Sequence, residues 1–291
     1  MLARHRTRRP FSLYKTLALG SARFLAPGRL AFALCVLILL CGAPLRGQTT
    51  SGSEETTVNT DRPSVTNSSV VVPRGAFQAE NGMLFTDTQS QWAFDAPETE
   101  FRNGLFDKTE LRFSPPNYFH DLPASPGLVS GFGDLILGVK QQLGPLPGGF
   151  DLSLIVFVSF PTGAKNISSH GYDPGVQLPW SRQLSQHWTL AGQVAFYWPT
   201  YGSSRNFTGE TTFLLDRQLT KPWDVFVEYA GDFPERYGTR QLLQFGSTYK
   251  LTPHQQIDFH VAFGLSSAAP DTFKGVGYSF LFQLPRGKGR D

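Results

Sequence analysis

Cysteine is all but missing from this chain. The two that occur, Cys35 and Cys41, sit inside a cationic leader, so a chain cut after that leader has neither thiol nor disulfide chemistry. Acidic residues are absent before Gly47, against eight basic ones (Arg4, Arg6, Arg8, Arg9, Lys15, Arg23, Arg29 and Arg46). Long apolar runs are absent as well. The uncharged run 30–40 spans about 11 residues, which fits a signal h-region of 7–15 and falls short of the ~20 a spanning helix needs. Residues 1–47 therefore read as a cleaved signal peptide. Leucine precedes each cysteine, which argues against lipoprotein processing. Thr7, Arg8, Arg9, Pro10 and Phe11 resemble a twin-arginine signal, but the apolar run begins about twenty residues later, so export route and true start codon stay open.

Removing the leader reverses the charge. Of the 26 Lys and Arg, 18 remain against 23 Asp and Glu, a formal balance of −5. That takes away the electrostatic case for a nucleic-acid partner. The five remaining histidines (His120, His170, His187, His254, His260) show no close ligand spacing, and the glycines form no phosphate-binding fingerprint. No metal, cofactor or nucleotide is expected.

What the chain does have is a recurring phrase: a leucine, a short polar turn, then an alternating strand. It occurs from Leu184, Leu219 and Leu251 and, more loosely, from Leu105, with spacings of 35 residues (184 to 219) and 32 residues (219 to 251). Each unit is a hairpin plus a longer loop, the pattern of a transmembrane β-barrel. Residues 48–74 are polar and aperiodic and read as an extended periplasmic N-terminal segment. Residues 75–285 read as the barrel and 286–291 as a tail. About twelve antiparallel strands are placed at 76–86, 99–106, 109–115, 131–143, 150–160, 174–184, 188–198, 207–219, 223–232, 240–251, 255–265 and 275–284, an all-β class.

Alternation also assigns faces. Leu152, Leu154, Val156, Val158 and Phe160 oppose Asp151, Ser153 and Ser159; Ile257, Phe259, Val261, Phe263 and Leu265 oppose Gln256, Asp258 and His260. A soluble sandwich would bury the apolar face, whereas a membrane barrel turns it to lipid and the charges to the lumen. The export signal, the strand number and length, and Trp188, Trp198, Trp223, Tyr249 and Tyr278 near strand ends favour the barrel. Gly277, Phe280 and Phe282 have the spacing of a C-terminal barrel-assembly signal, although a tail follows.

The chain resembles a known family. Thr60, Asp61, Arg62 and Pro63, then Val71 to Ala79 and Glu80, then Glu110, Leu111 and Arg112, Gly133 to Lys140, and Phe160 to Gly163 fall in the order seen in the "MetA-pathway of phenol degradation" barrels. The resemblance covers about Thr60 to Leu284. It implies an outer-membrane barrel that moves small molecules, with no defined substrate.

The lumen is then the place to look. The inward set is Glu80, Glu110, Arg112, Asp134, Lys140, Asp151, Asp216, Asp224, Glu228, Lys250, Asp258 and His260. Acids outnumber bases, which favours cations or neutral polar solutes. A barrel of this size lies between a side-chain-filled and a water-filled one. Three readings stay open: a passive channel for small solutes, apolar or aromatic ones among them; a filled barrel with a structural or adhesion role; and a lipid hydrolase built on Asp258, His260 and Ser279. Against the last, no oxyanion-hole glycine pattern accompanies Ser279. The chain is read as not an enzyme. Short turns would face the periplasm and the loops 87–98, 116–130, 161–173, 199–206, 233–239 and 266–274 the outside. These loops carry Trp92, Phe94, Tyr118, Phe119, Tyr172, Tyr201 and Tyr237, which either capture aromatic solutes at a pore mouth or pack the loops together. Expected partners are outer-membrane lipid, a small solute and the barrel assembly machinery, with the oligomeric state open.

Overall fold

A period-two pattern needs a partner on each side of every strand, and the chain meets that need by closing on itself. The structure is a computed structural model that describes residues 57–89, 91–122 and 130–283. The expected signal peptide 1–47, the start of the lead-in and the tail 286–291 lie outside the described residues. No helix occurs among the described residues.

The strands are β1 (Ala76–Thr88), β2 (Gln91–Ala96), β3 (Glu100–Phe106), β4 (Thr109–Ser114), β5 (Tyr118–Leu122), β6 (Ser130–Phe132), β7 (Leu135–Gln142), β8 (Phe150–Phe160), β9 (Asp173–Gln183), β10 (Trp188–Tyr197), β11 (Thr200–Tyr201), β12 (Ser204–Arg205), β13 (Thr208–Thr220), β14 (Trp223–Pro234), β15 (Arg240–Thr252), β16 (Gln255–Gly264) and β17 (Thr272–Gln283). Each pairs antiparallel with its neighbour, and β17 returns to β1 in continuous register from Ala76↔Gln283 to Asp87↔Thr272. β2 with β3, β5 with β4, and β6 with β7 continue one another, so the closed sheet has twelve walls. The short pair β11–β12 decorates a loop.

The predicted spans agree with these strands to within a few residues, and 150–160 matches at both ends. Two pieces differ: β2 and β5 lie where the loops 87–98 and 116–130 are expected. Pro97 and the pair Pro115 and Pro116 break the ladder just before the outer extensions resume, because proline has no N–H to donate. Residues 123–129 of that second loop lie outside the described residues.

Faces follow the alternation. Phe213, Phe245, Phe259, Val276 and Phe282 are exposed on the outside, while Gln193, Glu228, Gln244 and Ser279 are buried inside. At the short-turn end the register sets Trp223 beside Tyr249, Tyr249 beside Ile257, and Ile257 beside Tyr278, a continuous amphipathic row across four strands.

The lead-in differs most from expectation. Residues 57–74 do not lie outside the barrel. They enter from the short-turn end, where the Val58 N–H donates to Pro253 O at 2.7 Å, run into the lumen, and return to join β1 at Gly75. The physical reason is a shortage of partners. Inward polar side chains need hydrogen bonds, an irregular segment has unpaired backbone groups, and each satisfies the other.

Candidate functional site

The inner segment is hydrogen-bonded or ion-paired to every one of the twelve walls. Its neck is Asp61, whose carboxylate accepts the Ser68 N–H at 2.7 Å and so closes residues 62–67 into a loop. Around the neck stand Arg102 from β3, Arg112 from β4 and Lys140 from β7, all ion-paired to Asp61. Glu80 and Glu110 complete the cluster, with Arg102 at 2.9 Å from each. Glu100 takes the far side of Arg112 at 2.6 Å. Burial alone would raise the Asp61 carboxyl, but Arg102, Lys140 and Arg112 outweigh it and hold the group well below the usual carboxylate range.

Backbone donors are matched as closely. Glu80 accepts the Asp61 and Arg62 N–H groups at 3.0–3.1 Å, and Glu110 accepts Val72 N–H at 2.7 Å. Across the lumen, Glu228 on β14 accepts Val65 N–H, Thr66 N–H and the Thr66 hydroxyl at 2.7–2.9 Å. Asn67 donates to Gln193 and Gln177, and Gln244 donates to Pro63 O at 2.8 Å. Arg62 donates to Glu98 at 2.6 Å and to Asp258 at 3.4 Å.

Outward of the loop lies a cavity of about 110 Å³. Its floor is Arg62, Pro63, Ser64 and Val65 of the segment. Its walls mix apolar Leu84, Ile136, Ile155, Phe157 and Phe273 with polar Gln177, Glu210, Gln244 and His260. The arrangement is a vestibule above a plug.

Of the inward residues named from sequence, Glu80, Glu110, Arg112 and Lys140 meet in the ionic cluster, and Glu228 and Asp258 hold the loop. Asp134 does something else. It sits at the outer rim and accepts the Gly163 and Ser169 N–H groups at 2.8 and 3.0 Å, which pins the 161–172 loop. Asp151, Asp216, Asp224 and Lys250 are half-buried toward the short-turn end. His260 is buried with its ring edge-on to Phe273 at 5.6 Å. The register sets His260 opposite Gly275, and Ser279 lies four residues, about 13 Å, further along that strand. Asp258 is ion-paired to Arg62, so the three do not form a hydrolase relay. Among the described residues no cluster of three or more His, Cys, Asp or Glu is placed to hold a metal ion.

Sequence reasoning missed Asp61, Arg62, Glu98, Glu100, Arg102 and Glu210. Arg102 and Glu100 were legible by parity, since Phe101 between them points outward. Asp61 and Arg62 carried no periodic signal, and only their place in the Thr60–Pro63 motif marked them. The loop aromatics do not form a ring at the mouth. Trp92, Phe94 and Tyr118 continue the outer face, Tyr201 packs on Tyr237 at 5.3 Å, Tyr172 packs on Phe160, and only Phe119 is buried.

Residues 60–282 match the model of the family described as "Putative MetA-pathway of phenol degradation". The chain belongs to this family. The match begins at the Thr60–Pro63 motif and so includes the plug as well as the barrel. Among solved structures, the fold is similar to the COG4313 outer membrane channel from Pseudomonas putida F1, with a TM-score of 0.58 and 14% identity over 73% of this chain and 97% of that one. It is also similar to the NanC porin (0.51, 11%, 70% and 98%) and the KdgM porin (0.50, 10%, 72% and 99%). At these identities the likeness is one of fold: a porin-type outer-membrane barrel. No curated relative matches the sequence.

Proposed function

We propose that the protein is an outer-membrane channel of the Gram-negative type for passive passage of small solutes, closed in this conformation by its own residues 57–74. The observation that carries the reading is the vestibule: a cavity inside a closed, polar-lined barrel that ends on a segment held by hydrogen bonds and ion pairs instead of by the covalent wall. Export through the signal peptide 1–47 and insertion by the barrel assembly machinery belong to the same reading. Oligomerisation is not required by it.

The walls favour a class of solute. Leu84, Ile136, Ile155, Phe157 and Phe273 offer an apolar or aromatic solute a dry face, and Gln177, Gln244 and His260 offer hydrogen bonds to its polar end. Below the plug, Asp216 and Asp224 face Lys250, and Asp151 adds a further carboxylate from β8, so the path is acid-rich and favours cations or neutral molecules. One structural neighbour is described as the KdgM porin in complex with disordered oligogalacturonate. A polyanion of that kind is opposed here by the acidic wall.

The ionic cluster of Asp61, Glu80, Arg102, Glu110, Arg112 and Lys140 favours a second reading, a permanently filled barrel with a structural or adhesion role. Ion flux separates the two. The intact protein in a planar bilayer should show brief, cation-preferring openings. Silence from folded protein, persisting when residues 57–74 are removed, would leave the filled barrel.

A further inference from the structure

The loop 62–67 is held at two places of different construction. Its neck is caged by Arg102, Arg112 and Lys140, deep in the cluster. The loop itself carries one charged side chain, Arg62, and the seat for that side chain is assembled by three separate backbone features.

The first is a bulge. Leu84 pairs with Asp95 and Glu80 with Glu100, so residues 96–99 span the length covered by 81–83 on β1, one residue too many. The second lies inside the bulge, where Glu98 adopts a φ of 42°, the left-handed region that a non-glycine residue disfavours. That conformation presents the Glu98 carboxylate to Arg62 at 2.6 Å. The third is a notch at the seam where the barrel closes. Gly82 of β1 and Gly277 of β17 are direct partners. A Cβ on Gly82 would overlap the Arg62 guanidinium carbon and both terminal nitrogens, and one on Gly277 would lie 2.6 Å from Arg62 Nε. The guanidinium lies over Gly82, shares the Gly277 side of the notch with the Asp258 carboxylate, and donates to Asp258 and to Val276 O at 3.4 Å.

We propose that Arg62 is the releasable latch of the plug: when its guanidinium leaves the Gly82–Gly277 notch, the loop 62–67 turns about the Asp61–Ser68 neck and the vestibule opens toward the periplasm. The proposal rests on the channel reading above. Its asymmetry comes from the two seats. Withdrawing Asp61 leaves three buried cations to share Glu80, Glu100 and Glu110, a large penalty. Withdrawing Arg62 exposes Glu98 and Asp258 to a vestibule that its own side chain lines, and lets the strained Glu98 backbone relax. The remaining tip contacts are hydrogen bonds that water can replace.

Cys35 and Cys41 both lie within residues 1–47, the leader removed on export in the reading above, so in the exported protein a single Ser64→Cys at the vestibule floor reports on the loop. In that background, Gly82→Ala fills the notch, and Arg62→Ala empties it. Each should raise the rate of labelling by an impermeant maleimide added outside by about tenfold, since each removes a charged hydrogen-bonded contact. Each should lengthen the open time in bilayers, and the double variant should do no more than either alone. Should Gly82→Ala fail to fold, Glu98→Gln keeps the volume and carries the same expectation. Parental labelling rates in folded Gly82→Ala or Glu98→Gln, or additive effects in the double variant, overturn the latch and leave the channel reading standing. Faster labelling with no current supports the latch and removes the channel reading.

Discussion

Asp61 is a two-carbon side chain asked to satisfy three cations and a backbone amide. Asparagine keeps the shape but not the charge, and it leaves Arg102, Arg112 and Lys140 sharing Glu80, Glu100 and Glu110. Breaking a buried pair from one side typically costs about 3–5 kcal/mol. Asp61→Asn is therefore expected to speed amide hydrogen exchange of residues 61–69 by a hundredfold or more, as about 3 kcal/mol implies, with the strands unchanged. Equal exchange in the two proteins would show that the cage does not hold the plug. The pH dependence has a definite sign. The folded-state carboxyl is depressed, so its contribution is complete above the unfolded value of ~4 and is lost only as pH falls through the lower folded-state value. Exchange of Asp61 and Ser68 should stay flat between about pH 8 and 5 after correction for intrinsic rates.

Strands carry their own test, because each residue is committed to lipid or lumen by parity. Val156 lies mid-strand on the outer face of β8, and Phe282 lies at the short-turn edge of β17. Arginine at the first position should cost about 2–4 kcal/mol of folding free energy in lipid vesicles, and at the second about 0–1. Equal costs would mean that the apolar band does not span a bilayer. This level of structure was the most legible in the sequence. Gln256 to Val261 alternate without interruption, and turns such as 221–222 and 253–254 are short and polar, so strand, face and register follow from local pattern. β2 and β5 escaped because prolines separate them from β3 and β4, and a strand of five or six residues has too few alternations to stand alone. The plug escaped for a different reason. Its partners lie far off in sequence, Glu228 for Val65 and Thr66, Asp258 for Arg62, so nothing within residues 57–74 reports where the segment goes. The motif pieces were visible; that Asp61, Glu110, Arg112 and Lys140 from three of them meet at one point was not.

At the scale of the molecule, the interior divides into a cationic wall on β3, β4 and β7 and an acidic wall on β13, β14 and β16. The N-terminal segment bridges the two, giving Asp61 to the first and the N–H groups of Val65 and Thr66 to Glu228 of the second. Arg62 ties it to the seam between them, through Glu98 and Asp258. Seven buried charges at the neck are tolerable only while both sets face each other. A barrel wide enough to hold a segment is also wide enough to pass a solute once the segment moves. The measurement that bears most directly on this is single-channel conductance of the intact mature protein beside a variant lacking residues 57–74, both shown to be folded. Brief cation-preferring openings in the first and a steady, larger, cation-preferring conductance in the second are expected. A folded barrel that stays silent without residues 57–74 would contradict the claim that this segment closes an otherwise permeable lumen.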